Sequence, residues 1–255
     1  MRERLRSVDG TSIAVDRSGK GPPLVVVLGA FCDRLTAKPL AALLQSSYTV
    51  YAYDRRGRGD SEDGEEYAIE REVEDLAAVV ATTEGAPYVY GHSSGGALAL
   101  EGAARGVNIR KIAVYEPPYA GEDPRLPGFG DKLDDLVKSG RRADAAESFL
   151  ALAGAPAEVI EHIRASPGWD GMVALAHTLP RDIALGNGGA VPVDRIATIE
   201  APILAMAGSE SHGWAHEAAR MIASAAPNAH ARSVRDQQHA PAHEVLASIL
   251  KEFFA

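Results

Sequence analysis

Five consecutive apolar residues, Leu24-Val25-Val26-Val27-Leu28, run without a polar interruption and stop at Gly29. A strand with one wet face alternates polar and apolar side chains. A short β-branched run that does not alternate suits a strand covered on both faces, and such strands build parallel sheets sandwiched between helices. Helix and strand signals then alternate through the rest of the first half, the next strand with an alternating pattern. Residues 39–44 read as a short helix and 48–53 as the next strand. Residues 69–83 place Val73, Leu76, Ala77 and Val80 on one face at helical spacing. A short strand at 87–90, an Ala-rich helix at 97–105 and a strand at 110–115 follow. Near the start, Asp9-Gly10 lies between the runs 5–8 and 12–15, a strong hairpin signal.

Strands alternating with helices predict a mostly parallel central sheet with helices on both faces. The pattern breaks between Tyr119 and Arg195, where no strand is evident and the stretches 131–138, 143–152, 157–165 and 171–178 read as helices. The sheet resumes with strands at 202–207 and 229–234, each followed by a helix, at 214–225 and 241–254. Helices inserted between two strands of one sheet read as a cap. The expected organisation is therefore a core from residues 1–118 and 196–255, with a helical cap at 119–195.

Charge and cysteine usage narrow the function classes. Asp and Glu total 35 against 26 Lys and Arg, a formal net charge of -9. Phosphate backbones and anionic membrane surfaces are bound by cationic surplus, so neither nucleic acid nor membrane is an expected partner. Cys32 is the only cysteine and excludes an internal disulfide. Residues 1–10 carry charge with no apolar segment behind them, unlike a signal peptide, and no apolar run approaches a membrane span. The expected location is the cytoplasm. No histidine cluster has zinc spacing, and no phosphate-binding loop or dinucleotide fingerprint occurs, so no metal or organic cofactor is expected.

Gly91-His92-Ser93-Ser94-Gly95 carries the chemistry. It matches the pattern G-x-S-x-G, with a strand running in and a helix running out. A nucleophile on so sharp a turn needs small neighbours, and Gly91 and Gly95 lack the Cβ that would collide. The turn lifts the Ser93 hydroxyl above the sheet beside the positive end of a helix, where the Ser94 N–H meets a developing oxyanion. A Gly-rich turn without chemistry would show the same five residues, so the flanking strand and helix decide.

With the surrounding segments the chain resembles the α/β-hydrolase superfamily over essentially its whole length, in the serine-nucleophile branch with a helical cap. Leu28-Gly29-Ala30 lies where members usually carry His-Gly-x. Asp54-Arg55-Arg56-Gly57-Arg58-Gly59-Asp60-Ser61 resembles the D-x-R-G-x-G-x-S loop after the fourth strand, read as structural, with an arginine-rich anion site as the alternative. The resemblance implies that His239, in the loop after the last strand, is the general base; His243, on the following helix, is the alternative. It implies that His92 packs under the turn.

The acid is where the chain departs from the common pattern. After the seventh strand, Gly208-Ser209-Glu210-Ser211 has Ser at the position of the usual Asp. Glu116, at the end of the sixth strand, is favoured, because some members, a branch of the haloalkane dehalogenases among them, carry the acid there. Glu210 is the alternative. Without chemistry, Glu116 would pair with an arginine such as Arg34, and Glu210 would be a solvated loop charge. The oxyanion donors implied are the N–H groups of Ala30 and Ser94, with Phe31 as the fallback. Phe31, Cys32, Trp169, His177 and Trp214 are candidate pocket residues, each equally open to ordinary packing. Cys32 is not read as a nucleophile.

The function expected is hydrolysis of an ester, thioester or lactone of a small, largely apolar molecule. A lyase or cyclase using the Ser–His pair for acid–base chemistry, and a slow-turnover binding protein, remain as alternatives.

Overall fold

The computed structural model describes residues 2–64 and 67–255. A hairpin opens the chain, β1 (Arg2–Arg6) pairing antiparallel with β2 (Ser12–Gly19). Its strand begins and ends earlier than the sequence suggests. Residues 7–11 all belong to the turn, which Gly10 closes at φ +90°, donating its N–H to the Ser7 carbonyl over 2.9 Å. Asp9 contributes a side-chain bond from the Thr11 N–H instead of a tight two-residue turn.

The alternating part follows as β3 (Pro23–Val27), α1 (Lys38–Leu44), β4 (Thr49–Tyr53), α2 (Ile69–Ala81), β5 (Tyr88–His92), α3 (Ser94–Ala104) and β6 (Lys111–Tyr115). Helices α4 (Phe129–Lys138), α5 (Arg142–Leu152), α6 (Ala157–Arg164), α7 (Trp169–Leu175), α8 (Leu179–Leu185) and α9 (Val193–Ile196) are inserted before β7 (Ile203–Gly208). The chain ends with α10 (Gly213–Ala225), β8 (Ala229–Val234) and α11 (His243–Phe254). Helix α8 was not expected, because Pro180 and a short apolar pattern hide it. Proline sits in its first turn, where a missing N–H costs nothing.

The strands form one sheet in the order β1-β2-β4-β3-β5-β6-β7-β8, parallel from β4 through β8. The uninterrupted run in β3 is explained by its two faces. Leu24 and Val26 pack with α1 and α11, whereas Val25 and Val27 pack with α2, α3 and α10. A third cluster, Phe129, Leu133, Ala145, Ala146, Ala176 and Leu179, holds the inserted helices and receives Ala30 and Phe31 from the core. Strand β3 pairs with β4 on one side and β5 on the other. Successive connections thus leave it in opposite directions, and the crevice at its carboxyl end is where open α/β sheets bind ligands. Among the described residues no helix is long and apolar enough to cross a membrane.

Candidate active site

Ser93 stands at that crevice, between β5 and α3, with φ 54° and ψ -128°. An L-residue there is strained and needs a surrounding structure that over-determines it. The surroundings leave no room for side chains. A Cβ on Gly91 would lie 2.6 Å from the Gly95 carbonyl oxygen, and one on Gly95 would lie 2.3 Å from the Val27 carbonyl oxygen. The Ser93 N–H is held by the Tyr115 carbonyl at 2.8 Å. Gly29 abuts Ser93, since a Cβ on it would approach Ser93 Oγ to 3.2 Å.

Glu116 lies one strand over, immediately after β6, and is buried. It too has a left-handed backbone, φ 47°. Its Oε2 is 2.8 Å from His239 Nδ1, and its Oε1 accepts the Gly208 N–H at 2.8 Å. Burial pushes this carboxyl up, but the hydrogen bonds from His239 and Gly208 outweigh burial and hold it below the usual carboxylate range. A carboxylate at Nδ1 fixes the imidazole tautomer, with its proton on Nδ1 and the lone pair on Nε2.

The loop that presents His239 is pinned along its length. Asp236 N–H donates to Ser209 Oγ at 2.8 Å, Glu210 N–H to the Gln237 carbonyl at 3.0 Å, and Tyr115 Oη to the Gln238 carbonyl at 2.7 Å. His92 Nε2 donates to the His239 carbonyl at 2.8 Å. Burial, with His239 alongside, pushes His92 down to about 4, so it is neutral and donates through Nε2–H. His92 is therefore a clamp on the backbone of His239. His243, exposed at the start of α11, takes no part in these contacts.

Ser93, Glu116 and His239 share a cavity of about 320 Å³. No hydrogen bond joins Ser93 to His239, and such contacts often tighten only when substrate is bound. Glu210 lines the same cavity, but among the described residues its carboxylate makes no bond to the His239 ring. Arg34 does not pair with Glu116; its guanidinium is engaged by Asp54 and Asp60.

The arginines of the loop after β4 are buried against carboxylates: Arg55 on Glu72 and Asp182, Arg56 on Asp9 and Asp75, Arg58 on Asp182. Their charge is neutralised within the protein, as a structural loop requires and an anion site would not.

Of the five candidate pocket residues, Trp214 lines the cavity among the described residues. Phe31 stacks edge-on against Phe149 at 5.4 Å, with φ 58°. Trp169 packs with the inserted helices, and His177 Nδ1 bonds the Ala174 carbonyl at 3.0 Å. Neither of these two is among the residues that line the cavity. Burial pushes the Cys32 thiol up to about 11, which keeps it protonated. Beside His212 and Gln238 from the core, the wall residues that sequence reading missed include, from the insert, Leu126, Phe149, Leu152, Asp182, Ile183 and Gly188. No local motif marks these insert residues, since only the packing of α4–α8 brings them to the crevice. Among the described residues no three His, Cys, Asp or Glu side chains are grouped to hold a metal ion.

The chain belongs to the alpha/beta hydrolase family, whose model matches residues 24–247. It is similar to an alpha/beta hydrolase from Sphaerobacter thermophilus, with 44% identity over 99% of this chain and 100% of that one and a TM-score of 0.94. A thermophilic esterase from Thermogutta terrifontis shares the fold at 21% identity, covering 100% of this chain and 98% of that one with a TM-score of 0.77. So does esterase RhEst1 from a Rhodococcus species, at 20% identity, 99% and 98% coverage and a TM-score of 0.69. The chain is thus a hydrolase by family.

Proposed function

We propose that the protein hydrolyses an ester, thioester or lactone of a small, largely apolar molecule through an acyl-enzyme on Ser93. The observation that carries this reading is the convergence, in one cavity, of a strained elbow serine and an imidazole whose Nδ1 is bonded to a buried carboxylate. A serine hydroxyl becomes a nucleophile only when a base takes its proton. In the proposed cycle Ser93 Oγ attacks the carbonyl carbon while its proton passes to His239 Nε2. Glu116 keeps the ring in the right tautomer and stabilises the imidazolium that forms. The negative oxygen is held by the Ala30 and Ser94 N–H groups, and His239 returns the proton to the departing oxygen or sulfur. Water then attacks the acyl-enzyme with His239 as base, the acid is released, and Ser93 regains its proton. Side chains and backbone carry every step. The largely apolar wall contributed by Leu126, Phe149, Leu152 and Ile183 suits an apolar substrate part.

The test is covalent. A fluorophosphonate should label the active protein once, and peptide mapping should put the label on Ser93. A label elsewhere, or active protein that takes up none, overturns the assignment.

A further inference from the structure

The buried arginines beside the elbow end on the groups that hold the two proposed oxyanion donors. Arg58 Nη1 donates to the Gly29 carbonyl. The Gly29–Ala30 peptide is a rigid plane in which C=O and N–H point in opposite directions, so fixing the Gly29 oxygen fixes the aim of the Ala30 N–H. On the other side, Ser94 Oγ donates to Asp182 at 2.6 Å and accepts from Arg55 Nη1 at 3.2 Å. Both guanidiniums converge on that same carboxylate: Arg55 Nη1 at 2.8 Å, Arg58 Nη2 at 2.8 and 2.9 Å. Asp182 is 2% exposed and belongs to α8, in the inserted helices. Arg55 keeps a second, bidentate partner in Glu72, at 2.6 Å on each oxygen. Among the described residues the remaining contact of Arg58 is the Gly29 carbonyl, and its Nε is buried without a partner. Losing Asp182 would leave Arg58 a buried cation on one neutral acceptor, an arrangement that relaxes by moving.

We propose that Asp182 is a positioning residue for the reaction: one carboxylate, supplied by the insert, aims both oxyanion donors, the Ala30 N–H through Arg58 and the Ser94 N–H through the Ser94 hydroxyl. This rests on the acyl-transfer reading of Ser93. The insert is then part of the catalytic geometry as well as the cavity wall. Preorganised donors act on the transition state and not on the bound substrate, so the effect falls on kcat.

Asp182→Asn keeps the side-chain shape and removes the charge. With an activated neutral acyl ester its kcat should fall about 100-fold, the scale of a lost oxyanion donor, while KM stays within about twofold. Its affinity for a trifluoromethyl ketone, which binds as a tetrahedral oxyanion on serine, should fall by the same factor as kcat/KM. Should Asp182→Asn fail to fold, the double variant Arg58→Met/Asp182→Asn removes both charges of the pair and relieves the buried ion. Its kcat should remain low in protein whose melting is wild-type. Ser94→Ala, which deletes only the hydroxyl, should lose about tenfold in kcat by the same route. Wild-type kcat per folded molecule in any of these variants, or a loss confined to KM, overturns the proposal. Wild-type protein that turns over no ester and takes no fluorophosphonate on Ser93 overturns the acyl-transfer reading itself, and the proposal with it.

Discussion

Beneath the cavity, every residue of β7 is buried, as are all but one of β5 and of β6; above it, α6 and α7 bury no side chain, and α5 buries only Ala145 and Ala146. The groups proposed to make and break bonds stand on the deeply buried side. Ser93 and Glu116 follow strand ends, and His239 sits in a loop held by several hydrogen bonds. The groups that wall the cavity, such as Phe149 and Leu152, come from the lightly buried side. The difference teaches a division of labour. Reacting atoms need placement to a fraction of an ångström, which dense packing supplies. A cavity wall needs only complementarity, and elements with few buried apolar contacts open locally at low free energy. Helix α8 crosses the division, burying Leu179, Asp182 and Leu185 against the core.

The largest expected effect pits the two regions against each other. Glu116→Gln should fold normally and lower kcat by about four orders of magnitude, the scale of a comparable tautomer-disrupting change in a serine protease. Phe149→Ala should instead raise KM about tenfold with kcat nearly unchanged, because it removes contacts made equally in ground and transition states. Glu210→Gln should change kcat less than about twofold, its exposed carboxylate having no bond to the His239 ring. Steady-state kinetics on one ester series checks all three. Equal kcat losses in Glu116→Gln and Phe149→Ala would break the comparison.

A smaller effect is expected in stability. Ile112→Ala, in β6 and fully buried, should cost about 2–5 kcal/mol. Val159→Ala, on exposed α6, should cost less than about 0.5 kcal/mol. Urea unfolding measures both, and similar costs would show the insert to be packed as firmly as the sheet.

The smallest effect sharpens the account of the His239 loop. His92 is held neutral in the folded protein down to about pH 4, against an ordinary value of 6.5. Between those values the unfolded chain binds a proton that the folded one does not. Stability from this group therefore falls as pH drops from 6.5 towards 4, and is unaffected above 6.5. Glu116, held below its ordinary range, loses stability in the same direction at lower pH, as it protonates. His92→Gln should flatten the fall in Tm between pH 6.5 and 5 and leave the lower part to the carboxylates. An unchanged slope in His92→Gln would remove His92 from the account.

What the sequence by itself determined follows from short-range physics. The unbroken run Leu24–Leu28 requires two covered faces, and Gly91 and Gly95 flank Ser93 where a strand gives way to a helix. Strand–helix alternation then leaves few topologies, and the parallel sheet, its order of elements and the family were legible from residues a few positions apart. The hairpin's register was not, because the competing bonds of Ser7, Asp9 and Thr11 decide it and not the Asp-Gly pair alone. The meeting of Glu116 with His239, 123 residues apart, was implied by the family resemblance and by no local pattern, and it is made where β6 and the last loop come together at the carboxyl end of the sheet. Asp182 was invisible altogether. It lies in a short proline-bearing helix, 124 residues from Arg58, and its importance comes from two guanidiniums and a hydroxyl that no local pattern places around it. Periodicity records which face of an element is buried; only the assembled tertiary structure decides which distant charges must share one desolvated site, because the cost of burying each falls only when its partners are there.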